Sequence, residues 1–235
     1  MTHSGHRPPA TGLPARLGVF GGTFDPIHNG HLAVAGALAE RFAFDELLFV
    51  PAHVPPHKRG EPITHACHRF AMAALATADR ADWGLSTLEV EAPERPYSVD
   101  TIARLGELRP RAVPLYFIIG ADQFEDLPTW HEPLRLVESC HIIVTARPGY
   151  RLGFEHLAEP IRRRLVDLRG TAPERGVEVP DDGGTRIYLT EDAFVDVSST
   201  AVREAARDGR PYGHLVPEAV AAYIEKHNLY GRVNE

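Results

Sequence analysis

Two histidines three residues apart, in a glycine-rich turn, are the feature of this sequence best suited to chemistry. His28 and His31 follow Gly21-Gly22 after a short apolar segment. If a helix begins near Asn29, both imidazoles can point to the same side, and each ring can donate a hydrogen bond to a phosphate oxygen. This spacing, in this turn, predicts a site for a phosphate-bearing ligand.

The elements around the turn fit that prediction. Residues 17–20 read as a buried strand, and an amphipathic helix is predicted from Gly30 to Phe42. Adjacent glycines let the backbone turn tightly and come close to a ligand, and the free N–H groups of a helix N-terminus attract anions. Neither a P-loop nor a dinucleotide fingerprint fits, because the segment lacks Lys-Ser/Thr after the glycines and lacks G-x-G-x-x-G.

Two further segments carry donors for anions. Ser198, Ser199 and Thr200 precede a predicted helix that contains Arg203, and Lys58 lies in a proline-rich loop. Hydroxyl groups at a helix start commonly act only as caps, and a loop lysine is commonly a solvated charge. Capping and phosphate binding are compatible roles for these hydroxyl groups. For Lys58, a solvated charge and a contact to phosphate are the two alternatives.

These segments together resemble a known family. Gly-Gly-Thr-Phe-Asp-Pro-x-His-x-Gly-His, here residues 21–31, is similar to the signature of bacterial nicotinate-nucleotide adenylyltransferases in the nucleotidylyltransferase superfamily. Their second signature, Ile-Ser-Ser-Thr-x-x-Arg, is matched by residues 197–203 with Val197 in place of isoleucine. The resemblance implies transfer of the adenylyl group of ATP to nicotinate mononucleotide, giving deamido-NAD and pyrophosphate.

The resemblance also implies roles for individual residues. The catalytic set it implies is His28, His31, Lys58 and Arg203. The implied ATP-binding residues are Gly21, Gly22, Thr23, Phe24, His28, His31, Gly120, Asp122, Ser198, Ser199, Thr200 and Arg203. The implied mononucleotide-binding residues are Thr101, Trp130, Asp122 and Lys58, with Trp130 stacking on the pyridine ring. No resident metal site is expected, and Mg²⁺ is expected to accompany ATP.

The alternation of strand-like and helix-like segments predicts an α/β fold. We expect a doubly wound parallel sheet of the Rossmann-like nucleotidylyltransferase type, in one domain with a small C-terminal helical part. Residues 1–15 read as a disordered extension, residues 16–235 as the domain, and residues 149–184 as an exposed insertion. The predicted strands are 17–20, 46–50, 85–90, 115–119, 141–145 and 186–190, and the predicted helices are 30–42, 65–79, one from a Ser98 cap, one after Ser198 and 217–228.

Composition narrows the classes of protein. A chain of 235 residues with 43% hydrophobic and 24% charged residues is ordinary for a globular domain. The net charge of −7 argues against a nucleic-acid-binding surface. The sequence lacks a long apolar run or a signal-peptide pattern, which predicts a cytoplasmic protein without a membrane partner. The two cysteines do not indicate a disulfide framework. The sequence leaves open whether the chain forms a homo-oligomer.

Two other functions remain to be tested. Pantetheine-phosphate adenylyltransferases share the superfamily chemistry, although they are shorter and lack the segment with Trp130. A catalytically silent nucleotide-binding module could use the same fold, because a fold does not fix a function. The presence of both histidines, of Lys58 and of Arg203 favours an active enzyme.

Overall fold

The computed structural model describes residues 16–53, 63–92, 96–109, 113–147, 150, 152–154, 157–172, 176–177, 183–193 and 195–231. Its strands are β1 (Leu17–Gly22), β2 (Glu46–Pro51), β3 (Trp83–Leu85), β4 (Leu115–Gly120), β5 (His141–Thr145), β6 (Leu165–Asp167) and β7 (Ile187–Thr190). Its helices are α1 (Asn29–Arg41), α2 (Ala66–Thr77), α3 (Ser98–Glu107), α4 (Ala121–Glu125), α5 (Pro133–Ser139), α6 (Glu159–Arg162), α7 (Ser199–Arg207) and α8 (Glu218–Lys226).

The seven strands form one parallel sheet in the order β3-β2-β1-β4-β5-β7-β6. Successive side chains of a strand point to opposite faces, so each central strand contributes residues to two hydrophobic cores, one on each face of the sheet. Leu115, Phe117 and Ile119 pack with α3, α4 and α5 on one face. Tyr116 and Ile118 pack with α1, α2, α7 and α8 on the other. The predicted doubly wound α/β sheet is confirmed.

Two local predictions are wrong. The strand predicted at 85–90 is β3 at Trp83–Leu85, and the chain then turns away, with the N–H of Glu91 donating to the carbonyl of Thr87 at 2.9 Å. Leu88 packs against the core and Glu89 lines the cavity, so this segment is partly buried without being a strand. Ser98 is the first residue of α3 and caps nothing with its side chain, because the N-cap is Tyr97.

The segment 149–184 contributes to the sheet. Its described part contains α6 and β6, and β6 pairs with β7 at the edge, with Val166 beside Tyr188. Residues 1–15 lie outside the described residues, so the predicted extension stays a prediction. Among the described helices, none combines the length and apolar character needed to cross a lipid bilayer.

Candidate active site

A cavity of about 1020 Å³ opens at the carboxyl ends of β1, β4 and β5. Chain connections leave the sheet in opposite directions between β1 and β4, which is where ligands bind in open α/β sheets. Ten of the residues singled out from the sequence line this cavity: Gly21, Gly22, Thr23, Phe24, His28, His31, Gly120, Asp122, Trp130 and Ser199.

The turn after β1 is shaped by close packing. A Cβ atom on Gly22 would lie 2.8 Å from Cζ of Phe24, and one on Gly21 would lie 2.9 Å from Cε2 of Phe117. Phe24 adopts a left-handed backbone conformation, with φ of 48°, and its ring is buried edge-on against His31 at 5.1 Å between centroids. The two glycines are therefore required by the neighbouring aromatic side chains, of which Phe24 also supports His31.

His28 and His31 cap helix α1 for each other. Nδ1 of His28 accepts the backbone N–H of His31 at 3.3 Å, and Nδ1 of His31 accepts the backbone N–H of His28 at 3.2 Å. This is the reciprocal arrangement of a capping box, with imidazoles in place of the usual hydroxyl and carboxylate. The two rings stack with centroids 3.7 Å apart.

The capping bonds determine the protonation state of the pair. A ring nitrogen that accepts from an N–H carries no proton, so the proton of each neutral ring lies on Nε2. Burial lowers the pKa of His28 to about 4. Burial and the neighbouring His28 lower the pKa of His31 well below its usual value. Near neutral pH the pair therefore presents two uncharged Nε2–H donors on the wall of the cavity.

Gly30 is required by the position of the His28 ring. A Cβ atom there would lie 3.0 Å from Nδ1 of His28 and 3.4 Å from the carbonyl oxygen of Val195. We expect Gly30→Ala to displace the ring and lower kcat by about 10-fold or more, because small misplacements of reacting groups are costly. Steady-state kinetics beside a thermal melt test this expectation.

Gly36 supplies the matched control on the same helix, since nothing lies within 4 Å of its added Cβ. Gly36→Ala should raise the free energy of unfolding by about 0.5–1 kcal/mol and leave kcat unchanged. Equal activity of the two alanine variants would contradict the role assigned to Gly30.

The start of α7 is bonded to the same turn. Ser198 is the N-cap and accepts the N–H of Ala201, and the hydroxyl of Ser199 donates to the carbonyl of Pro26 at 2.9 Å. Nη1 of Arg203 donates to the carbonyl of Asp25 at 2.8 Å, and Nη2 contacts the hydroxyl of Thr200 at 3.2 Å. The two sequence signatures, far apart in the chain, are thus in contact in the fold.

Asp25 connects the turn to the rest of the molecule. Its buried carboxylate accepts the hydroxyl of Tyr230 at 2.7 Å and the backbone N–H of Thr64 at 3.2 Å. Burial, together with the charge of Asp25, raises the pKa of Tyr230 above its usual value. The phenol therefore stays protonated and serves Asp25 as a donor.

Of the residues assigned to the mononucleotide, Asp122 and Trp130 line the cavity, and Thr101 lies behind its lining. Asp122 is exposed, and Trp130 is half-buried, with its ring edge-on to Phe117 at 6.5 Å between centroids. Thr101 is buried, and its hydroxyl donates to Oε1 of Glu89 at 2.8 Å; Glu89 itself lines the cavity. Lys58 lies outside the described residues, and its assignment stays a prediction.

Sequence reasoning missed two charged residues of this region. Arg69 is fully buried, and its guanidinium donates to the carbonyls of Thr23, His53 and Thr64 at 2.6, 2.5 and 2.8 Å. Glu89 was not distinguished from surface acids of the chain. Neither residue belongs to a compact motif, and only the apolar surroundings of Arg69 in a predicted helix could have marked it as buried.

The chain is similar to proteins of one family along nearly its whole length. A model described as cytidylyltransferase-like matches residues 19–205. A protein of Moorella thermoacetica is 38% identical over 217 residues, covering 92% of each chain, and one of Desulfatibacillum aliphaticivorans is 36% identical over 92% of this chain and 99% of its own. Both bear the name "Probable nicotinate-nucleotide adenylyltransferase".

Solved structures agree on the fold. "Plasmodium falciparum nicotinic acid mononucleotide adenylyltransferase complexed with NaAD" matches with a TM-score of 0.67 at 20% identity, covering 92% of this chain and 97% of that one. This structural likeness shows the fold. The family is shown by the sequence relatives, and the contact of the two signatures at the cavity agrees with it. The chain belongs to the cytidylyltransferase-like family and, within it, to the nicotinate-nucleotide adenylyltransferases.

Proposed function

We propose that this protein transfers the adenylyl group of ATP to nicotinate mononucleotide, forming deamido-NAD and pyrophosphate in NAD biosynthesis. The observation that carries the proposal is the mutual capping of His28 and His31, which leaves two Nε2–H donors at the N-terminus of α1 in the cavity. The names of the relatives at 36–38% identity support the same reaction.

The reaction needs positioning and charge stabilisation more than acid–base chemistry. A phosphate oxygen of the mononucleotide attacks the α-phosphorus of ATP, and the bond from that phosphorus to the bridging oxygen of the β-phosphate breaks. The electron pair of that bond leaves with pyrophosphate. The attacking phosphate is already ionised near neutral pH, so no general base is required, and no covalent intermediate is formed. Fixed donors around the reacting phosphorus then supply most of the rate enhancement.

The residue types suit these requirements. His28 and His31 would hold oxygens of the α-phosphate as charge develops, and their neutral Nε2–H donors need no proton transfer to do so. Arg203 would neutralise the β- and γ-phosphates, and Ser199 and Thr200 would add hydroxyl donors at the start of α7. Lys58 is proposed to reach the phosphates from its loop.

Mg²⁺ is proposed to enter with ATP. Within the described residues, no group of three or more His, Cys, Asp or Glu side chains is arranged to hold a metal ion. Mg²⁺ characteristically keeps several waters and binds to substrate phosphates through few protein ligands. The ion would add positive charge at the phosphates of ATP. The protein's donors would form hydrogen bonds to the remaining phosphate oxygens.

Trp130 is proposed to bind the pyridine ring of the mononucleotide. Its half-buried position on the cavity wall suits a stacking platform better than a core residue. Trp130→Ala is expected to raise KM for the mononucleotide by about 5- to 150-fold, the equivalent of about 1–3 kcal/mol of stacking, and to change KM for ATP little. Trp130→Phe keeps a flat ring, and its KM for the mononucleotide should lie between those of the wild type and Trp130→Ala.

A thermal melt separates this role from a structural one. If Trp130 mainly stabilises the fold, its removal would cost about 3–5 kcal/mol, as core aromatic residues do, and would impair both substrates together. That result would remove Trp130 from the binding site.

The proposed reaction is tested by incubating the protein with ATP, Mg²⁺ and nicotinate mononucleotide and measuring deamido-NAD and pyrophosphate. A parallel panel with nicotinamide mononucleotide and pantetheine phosphate distinguishes the nicotinate enzyme from its superfamily alternatives. Binding of ATP without any product would support the silent module instead. The cytoplasmic location and a homo-oligomeric state stay predictions.

A further inference from the structure

The backbone at His53, on the cavity wall, interacts with two charged residues of distant elements. The carbonyl of His53, just after β2, accepts from Nη2 of Arg69 at 2.5 Å, and the backbone of His53 favours the charged form of Glu89. Arg69 comes from α2 and also donates to the carbonyl of Thr23, in the turn after β1, at 2.6 Å. The network therefore begins at the residues proposed to bind ATP.

Glu89 extends the same network to α3. Its Oε1 accepts from the hydroxyl of Thr101 at 2.8 Å, and both Glu89 and Tyr97, the N-cap of that helix, line the cavity. One carboxylate in the loop that follows β3 is thus bonded to α3 and interacts electrostatically with the end of β2. No part of the reaction described above uses this carboxylate, and its placement in the wall requires another explanation.

We infer that Glu89 is a positioning residue for the mononucleotide half of the cavity, acting through its hydrogen bond to Thr101 and its electrostatic interaction with the backbone of His53 and with Arg69. The inference rests on the proposed function, because it concerns affinity for that substrate. The hydroxyl of Thr101 donates to Glu89, and the charge of Arg69 and the backbone of His53 favour its ionised form. A carboxylate suits these surroundings, whereas an amide would lack the charge and would bring a donor of its own.

The ionisation of Glu89 makes this role measurable. Burial raises the pKa of Glu89 to about 7, while the hydroxyl of Thr101, the charge of Arg69 and the backbone of His53 act in the opposite direction. As pH falls through this value, the carboxylate becomes protonated and loses its pure acceptor character. Affinity for the mononucleotide should therefore fall with it.

The experiment compares Glu89→Gln with the wild-type enzyme between pH 5.5 and 8.5, using ATP, Mg²⁺ and nicotinate mononucleotide. We expect Glu89→Gln to raise KM for the mononucleotide about 10-fold and to leave KM for ATP within about twofold. In the wild type, kcat/KM for the mononucleotide should rise with pH through about 7, and the variant should lose this limb. Ionisation of the substrate phosphate affects both enzymes equally and cancels in the comparison.

Glu91→Gln is the matched control, because Glu91 is an exposed acid in the same loop. It removes the same charge and should reproduce the wild-type constants and pH profile. Thr101→Val tests the bond from the other partner, since it keeps the shape of the side chain but removes the hydroxyl donor. Losing that donor should move the pH limb to higher pH, because the charged form of Glu89 is then less stabilised.

Three results would overturn the inference. The first is a Glu89→Gln enzyme with the wild-type KM and pH limb. The second is an equal loss for both substrates accompanied by a lower melting temperature, which would indicate a structural role alone. The third is a wild-type protein that forms no deamido-NAD, which would overturn the proposed function at the same time, whereas the first two results leave that function intact.

Discussion

His31→Ala is expected to lower kcat by about 10²- to 10³-fold while KM for ATP changes by no more than a few-fold. The Nε2–H of His31 is fixed by the capping bond at Nδ1, so it is oriented before the reaction begins. Such a donor gains strength as charge develops on the phosphate oxygens, and its loss appears in the transition state more than in the bound substrate. Steady-state kinetics with saturating mononucleotide measure this difference.

His31→Gln separates catalysis from capping. Glutamine is a usual residue at the third position of a capping box and can accept the backbone N–H of His28 with its side-chain oxygen. The helix start should then survive, with a melting temperature near that of the wild type, while kcat stays about 100-fold low. If His31→Ala lowers the melting temperature together with kcat, and His31→Gln restores both, His31 serves the helix rather than the phosphate.

Arg203→Ala is expected to lower kcat/KM for ATP by about 100-fold or more, through both KM and kcat. The β- and γ-phosphates are charged in the bound substrate and in the transition state, so the guanidinium acts on both. Hydrogen bonds between charged groups contribute about 1.5–3 kcal/mol each, and a guanidinium can make two to one phosphate. Arg203→Lys keeps the charge without the paired geometry and should be intermediate.

Arg207→Ala provides the control on the same helix. Its side chain is 59% exposed at the last turn of α7 and lies 3.7 Å from Asp208, an arrangement that contributes little. Its kinetic constants should stay within about twofold of the wild type. If Arg203→Ala loses only stability, as its bond to the carbonyl of Asp25 would permit, the phosphate assignment is wrong.

The sequence alone was sufficient for the architecture and for the family. Apolar segments of strand length alternate with amphipathic helices, and five predicted strands and the α1, α2, α7 and α8 helices are present close to their predicted bounds. The glycine-rich turn after β1 was predictable because its signal is local: glycines, the His28–His31 spacing and the helix start all lie within eleven residues. Caps and turns are set by such neighbours, so a single stretch of chain specifies them.

The tertiary structure alone revealed how the site is held. The bond from Tyr230 to Asp25 spans 205 residues, and the one from Arg203 to the carbonyl of Asp25 spans 178. The role of Arg69 depends on three carbonyls from separate segments, and the raised pKa of Glu89 depends on its burial. Burial and partners follow from strand order and from helix packing on the sheet, which bring together groups that have no sequence pattern in common. Local sequence patterns therefore indicated the candidate hydrogen-bond donors. The packing of distant elements determined their partners and their charge.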